Sequence, residues 1–255
     1  MTLQDFRLKY RPKKFAEFVG NKLPIEILKE IIRSQHIPNG ILFHGPPGSG
    51  KTSLAEVFSK AYYCLDYSGN ACGICKNCLA LNKIFSEQAT TLSGGIITDC
   101  TRIDGLRNFA DIFLNTFFSD PPVKRGRTIR ILDEFDKAQK TFQEKLLRIL
   151  EFQYGNWLFI FCLIDLNKVS KAFRQRVTVL KTSQPELEEL IPWLKGKCDS
   201  ENITIGDSNA LKQLALAANA LPRECLSLLQ TISYLNTPLT TSLVKEVVRD
   251  IRGTD

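Results

Sequence analysis

At 255 residues the chain is long enough for one large domain or two smaller ones. Its 44% hydrophobic and 24% charged residues are ordinary for a globular protein, and no apolar run reaches the roughly 18 residues of a membrane span. The basic N-terminus lacks the apolar stretch of a signal peptide, so a cytoplasmic location is expected, and a net charge of +7 suits phosphate-bearing partners without demanding them.

Residues 1–20 carry Lys9-Tyr10-Arg11-Pro12, then Phe15, Phe18, Val19 and Gly20, and this aromatic content predicts an ordered arm. An amphipathic helix is expected over Leu23–Arg33, after which Pro38-Asn39-Gly40 turns the chain into the apolar strand Ile41-Leu42-Phe43. Gly45-Pro46-Pro47-Gly48-Ser49-Gly50-Lys51-Thr52 follows and satisfies the P-loop pattern G-x-x-x-x-G-K-[ST]. Thr52–Tyr63 then has helical apolar spacing, so the motif sits in the strand, loop and helix context it requires. Gly45, Gly48 and Gly50 free the backbone to wrap an anion with its N–H groups pointing inward. The helix start adds its positive end. Lys51 brings a mobile cation to the β- and γ-phosphates, and the Thr52 hydroxyl can ligate Mg²⁺. Ser49 and Ser53 complete the expected nucleotide-binding run.

Four of the eight cysteines come next, as Cys64-x7-Cys72-x2-Cys75-x2-Cys78, with Gly69 and Gly73 making turns between them. Four thiolates at this spacing can close a tetrahedral Zn²⁺ site, saturated and therefore structural. An iron–sulfur cluster uses the same donors and stays open as a reading, as does a cluster without metal. Cys100, Cys162, Cys198 and Cys225 have apolar or helical neighbours and read as reduced, mostly buried thiols.

Ser93–Cys100 reads as a strand and Asp104–Phe117 as a helix, with Arg102 and Arg107 near its start. Pro121-Pro122 and Lys124-Arg125-Gly126-Arg127 form a basic turn. The strand Thr128–Leu132 then runs into Asp133-Glu134, the Walker B arrangement: Asp133 would hold Mg²⁺ through its water shell and Glu134 would orient and polarise the attacking water. Thr141–Phe152 is a strongly amphipathic helix, and Asn156–Ile164 is a nearly continuous apolar run expected of a central parallel strand. Lys168–Arg176 reads as a basic helical stretch and Val177–Leu180 as a last strand. Alternating strands and helices predict a doubly wound parallel α/β sheet with nucleotide at the carboxyl ends of its strands. From Ser183 the pattern is helical only, over Glu186–Lys197, Ser208–Ala220, Arg223–Leu235 and Ser242–Ile251. The expected division is therefore residues 1–182 as a nucleotide-binding domain, with a zinc module at 64–78, and residues 183–255 as a small helical domain.

With these residues in order along nearly the whole chain, the sequence resembles the bacterial DNA polymerase III clamp-loader ATPases of the AAA+ class, gamma/tau subunits first and delta-prime second. Tyr10-Arg11-Pro12 with Phe15 and Val19-Gly20 matches the family's arm, which lies against adenine. Gly45–Thr52 and Asp133-Glu134 match its Walker A and Walker B motifs, and the four-cysteine module after the P-loop helix is its most diagnostic feature. The resemblance implies that Arg176 reaches the γ-phosphate bound by a neighbouring subunit and that Arg223 is the sensor-2 arginine of the helical lid. It also implies ATP, Mg²⁺ and Zn²⁺ as cofactors. The implied partners are other clamp-loader subunits, a sliding clamp and primer–template DNA, with Arg102, Arg107 and Lys168 as candidate phosphate contacts and no membrane role.

The chain departs from that pattern in three ways. The Ser and Cys that flank the trans-acting arginine are Gln175 and Val177. The sensor-1 position offers Leu163 and Ile164 where the family has Thr or Asn, and losing that hydrogen bond costs about 1–3 kcal/mol of transition-state stabilisation. The chain given stops at Asp255, where the family's ring-holding collar would follow. Two functions are carried forward: a clamp-loader ATPase, weak in isolation, and a delta-prime-like subunit that binds nucleotide as a switch with little or no turnover. An AAA+ role outside replication, in mobile elements or defence, is the remaining reading.

Overall fold

The computed structural model describes residues 5–66, 68–86, 97–100, 126–152 and 157–253. The expected helix over Asp104–Phe117, the candidates Arg102 and Arg107, most of the basic turn and the first residues of the strand over Ser93–Cys100 lie outside them. In chain order the described elements are α1 (Phe6–Lys9), α2 (Lys22–Ser34), β1 (Gly40–His44), α3 (Lys51–Tyr63), α4 (Lys76–Ser86), β2 (Ile97–Asp99), β3 (Thr128–Asp133), α5 (Lys140–Phe152), β4 (Trp157–Leu163), α6 (Lys171–Arg174), β5 (Thr178–Lys181), α7 (Leu187–Ser200), α8 (Ala210–Ala217), α9 (Pro222–Ser233) and α10 (Thr241–Arg252). Among them, no helix is long and apolar enough to cross a membrane.

The chain divides into two units. The strand unit holds Lys13–Phe15 and Lys22–Thr182; the helical unit holds the arm up to Pro12, Ala16–Asn21 and Ser183–Asp255. The sequence reading puts all of 1–182 in one domain; the contacts instead group most of the arm with the helices, because its anchors lie there.

In the strand unit a sheet of order β2-β3-β4-β1-β5 is parallel at every pairing. β1 and β4 sit inside it, and β4 is buried from Leu158 to Leu163, as a strand covered on both faces must be. α5 turns Phe142, Leu146 and Leu150 to one side, four residues apart, where they join Phe135, Phe159, Phe161, Leu163 and Phe173 in one apolar cluster. The ring of Phe161 lies 4.7 Å from that of Phe135 and 4.9 Å from that of Phe173. α3 packs on β3 and β4 and is buried along almost its entire length, so the helix that begins at the P-loop is fixed by the core. The expected helix over Lys168–Arg176 is corrected: Leu166–Lys168 forms a 3-10 turn, buried Val169 is extended, and only Lys171–Arg174 is helical, capped by the Ser170 hydroxyl accepting from the Phe173 amide at 3.2 Å.

In the helical unit, α7 to α10 enclose Leu190, Leu194, Leu211, Leu214, Leu229 and Ile232. Ile205 and Leu239 form one isolated parallel bridge between loops, which the purely helical pattern did not announce. Asp207 accepts from the Thr241 amide at 2.6 Å and from its hydroxyl at 2.7 Å, pinning the start of α10. α1 packs on α9: Phe6 is buried, and its amide donates to Gln230 Oε1 at 2.9 Å. Tyr10 O–H donates to Glu201, Lys9 Nζ lies 2.5 Å from the same carboxylate, and Lys197 Nζ stands 4.5 Å from the Tyr10 ring centre. Burial first, and then the Glu201 carboxylate, pushes the Tyr10 phenol up to about 12, so it remains a donor.

Candidate functional site

β1 ends at His44, and the loop that follows needs positive φ at Gly45 (151°), Gly48 (77°) and Gly50 (95°). Gly45 is also required by space, since a Cβ there would lie 2.2 Å from Thr182 O. Lys51 and Thr52 open α3, with Ser53 on the same first turn. Lys51 is buried and its Nζ donates to Gly45 O and Pro46 O, each at 2.8 Å. Burial lowers its pKa, against which Cys162 and the carboxyls of Asp133, Asp136 and Glu134 pull it back up.

The end of β3 meets this helix start. Thr52 Oγ1 donates to Asp133 Oδ2 at 2.8 Å, and the Glu134 amide donates to Asp133 Oδ1 at 3.0 Å. Burial raises the Asp133 pKa, and these two donors draw it down. Two oxygen donors side by side, one a carboxylate and one a hydroxyl, form a donor set that fits hydrated Mg²⁺. Glu134 has φ 52° and ψ 40°, a left-handed conformation that ends the strand and leads into the 3-10 turn Phe135–Lys137. Its side chain is half-exposed and paired with Lys137. Asp136, which the motif reading passed over, is a third acid here. Its Oδ1 is buried without a hydrogen bond among the described residues, and only the D-E-x-D spacing would have pointed to it. At the end of β4, Leu163 is buried in the apolar cluster and Ile164 is exposed, so neither sensor-1 candidate offers a polar group.

Arg176 lies between α6 and β5 in the strand unit. Its Nη2 stands 2.5 Å from Glu151 Oε1 and its Nη1 donates to Ala172 O at 2.7 Å, which fixes the guanidinium at the end of α5. Lys168 is exposed on its 3-10 turn. The remaining expected nucleotide contacts belong to the helical unit. Tyr10 and Val19 pack on its core, Arg11 and Pro12 are half-buried, and Arg223 is exposed at the second residue of α9.

The four cysteines come together in the strand unit. Cys64 caps the C-terminus of α3 and Cys78 lies on α4, while Gly69 and Gly73 take φ of 85° and 80° in the loop between them. All four Sγ atoms lie within 4.8 Å of one another, with Cys72 and Cys78 at 3.9 Å. A tetrahedron of Zn–S bonds near 2.3 Å has edges of about 3.8 Å, so the donor set fits the ion. The amides of Cys72, Cys75 and Cys78 point at sulfurs of Cys64, Cys72 and Cys75, as thiolates require. Asn77 Nδ2 donates to Tyr63 O at 2.8 Å and ties the module to α3. All eight cysteines are free of disulfides, and the scattered four are buried.

A family model described as DNA polymerase III, delta subunit, matches residues 20–186. The DNA polymerase III subunit gamma/tau of Mycoplasma pneumoniae is 30% identical over 240 residues, which are 92% of this chain and 33% of that protein. Protein STICHEL of Arabidopsis thaliana is 27% identical over 97% of this chain and 20% of that protein. The chain thus spans a third or less of the length of these two curated relatives. A solved structure titled Thermotoga maritima RuvB Holliday junction branch migration motor superposes with a TM-score of 0.66 at 18% identity, covering 96% of this chain and 74% of that one. At that identity the likeness is one of fold.

Proposed function

We propose, since the chain belongs to the DNA polymerase III delta-subunit family of AAA+ clamp-loader proteins, that it is a nucleotide-driven clamp-loader subunit. With other subunits it would use ATP binding and hydrolysis to place a sliding clamp on primer–template DNA. The observation that supports this best is the 2.8 Å contact between Thr52 and Asp133, which brings the P-loop helix and the acid-tipped strand to one point beside buried Lys51.

Bound Mg²⁺ would supply positive charge to the phosphates at Thr52 and Asp133. Lys51 would leave its two carbonyl partners to meet the β- and γ-phosphate oxygens, and the amides of Gly48, Gly50, Lys51 and Thr52 would face the same anion, while the Ser49 amide stays on Pro46 O. Glu134, released from Lys137, accepts a hydrogen bond from the attacking water and orients it. Arg176, held by Glu151, is the group offered to nucleotide on a neighbouring subunit. Tyr10, Arg11, Pro12 and Val19 as adenine contacts, and Arg223 as a phosphate sensor in a lid made by residues 183–255, rest on the family resemblance.

Lys51→Ala should abolish binding of a labelled ATP analogue or weaken it strongly; unchanged affinity would remove the P-loop from the site. Glu134→Gln should bind ATP normally and stop turnover measured with primed DNA, clamp and partner subunits. The apolar end of β4 favours a second reading, a switch subunit that binds nucleotide with little turnover. Wild-type binding without turnover under those conditions would select it.

A further inference from the structure

Thr182 is fully buried and touches the P-loop repeatedly. Its amide donates to His44 O at 2.8 Å. Its Oγ1 lies 3.1 Å from the same carbonyl and 2.7 Å from Ser49 Oγ, which in turn lies 2.8 Å from Pro46 O. A Cβ on Gly45 would come within 2.5 Å of the Thr182 hydroxyl, so the loop is built around this side chain. Ser49 is 4% exposed and Thr182 0%, which leaves both hydroxyls dependent on protein partners.

Each hydroxyl carries one proton, so the chain His44 O, Thr182, Ser49, Pro46 O can run in either direction. In one order Ser49 donates to Thr182 and Thr182 to His44 O; Pro46 O then depends on Lys51 Nζ at 2.8 Å and the Ser49 amide at 3.3 Å. In the other order Thr182 donates to Ser49 and Ser49 to Pro46 O, while His44 O keeps the Thr182 amide. Lys51 must leave Pro46 O to reach a phosphate. The second order replaces the bond that its departure removes.

We propose that Thr182 is a positioning residue for nucleotide: through Ser49, its hydroxyl holds the P-loop in phosphate-receiving shape when Lys51 turns to the ligand. The inference rests on the nucleotide-binding reading above and deepens it. Thr182 is also the last residue of the strand unit, and Ser183 belongs to the helical unit, where its amide donates to Asn21 Oδ1 at 3.0 Å. Occupancy of the P-loop is therefore felt at the residue through which the chain leaves the sheet.

The test is the dissociation constant for a fluorescent ATP analogue in wild type, Thr182→Val, Thr182→Ser, Ser49→Ala and the double variant Ser49→Ala/Thr182→Val. Thr182→Val should weaken binding about 3- to 10-fold, the worth of one buried neutral hydrogen bond. Thr182→Ser should restore it, and the double variant should bind no worse than the weaker single one. Binding by folded Thr182→Val equal to that of wild type would overturn the inference alone, as would fully additive losses. A wild type that binds no nucleotide would overturn the nucleotide-binding reading and this inference with it. Should Thr182→Val fail to fold, hydrogen exchange of the segment 178–184 decides. Wild type should gain protection with nucleotide and Ser49→Ala should not; equal protection in both would overturn the proposal.

Discussion

Replacing Phe135 by Ala should cost the strand unit about 3–5 kcal/mol. Phe135 follows Glu134 directly, is fully buried, and places its ring 4.7 Å from Phe161 and 5.3 Å from Phe173. Truncation removes the transfer free energy of the ring and leaves a cavity whose walls belong to β4, α6 and α5, which cannot close on it together. Each lost ring pair contributes about 0.5–1.5 kcal/mol of the total. A domain has only about 5–15 kcal/mol in all, so this variant is left with a thin margin. Phe135→Leu keeps most of the volume and should cost about 1–1.5 kcal/mol, which makes it the variant for kinetics. The assay is urea unfolding followed by tryptophan fluorescence. Of the two tryptophans, Trp157 lies in the strand unit and Trp193 in the helical unit, so a Trp193→Phe background reports on the strand unit alone. The left-handed turn at Glu134 leans on the buried ring beside it, so single-turnover hydrolysis by Phe135→Leu should fall more than its nucleotide affinity. A loss under about 1 kcal/mol for Phe135→Ala would refute the packing argument.

Elemental analysis should find one zinc per chain, and Cys75→Ser should lower both metal content and thermal midpoint while leaving nucleotide affinity intact; full metal in that variant would contradict the four-cysteine site. Ile164→Thr should raise turnover in an assembled complex, whereas Leu163→Thr buries a hydroxyl and should cost about 1–3 kcal/mol of stability in urea titrations. Arg176→Ala should leave ATP affinity of the isolated chain unchanged and lower turnover only among assembled subunits, by up to about 10³–10⁵; an equal loss in the isolated chain would argue against a role in trans. Burial alone would raise the Glu201 pKa, but hydrogen bonds from Lys9 and Tyr10 carry it below the usual carboxylate range. A depressed carboxyl contributes stability that is present above its unfolded pKa and lost as pH falls through the folded one. Exchange protection of residues 6–10 should therefore hold near neutrality and fall away below about pH 4; protection that rises on acidification would show the sign to be wrong.

The parts of the site that were legible in the sequence are those whose chemistry is local. Gly45, Gly48 and Gly50 announce the loop because only glycine takes those φ values easily, and the cysteine spacing closes within one short segment. Asp133-Glu134 is readable because two acids directly after an apolar strand mark the end of that strand, where Asp133 meets Thr52 of the P-loop helix. Thr182 carried no such signal: it stands far along the chain from Ser49, and β-strand pairing of His44 with Lys181 brings it there. The break in the helix expected over Lys168–Arg176 was hidden for a similar reason. Burial of Val169 and Phe173 decides the local conformation, and composition alone reads as basic and helical. The grouping of the arm with the helices depends on Phe6 meeting Gln230 and Tyr10 meeting Glu201, pairs that no periodicity encodes.

The way the arm is anchored bears on how the chain is made. Tyr10 and Glu201 are separated by 191 residues and Phe6 and Gln230 by 224, so the arm docks on segments that are translated well after it. At synthesis rates of about 5–20 residues per second, Tyr10 waits on the order of 10–40 s for its partner to be translated. Through that interval Phe6, 2% exposed in the finished protein, lacks its partners on the helices after residue 183, while the strands β1 and β4 are already made. The helical unit is thus completed only after the strands of the sheet unit, which lie between its two contributing segments in sequence, have been made.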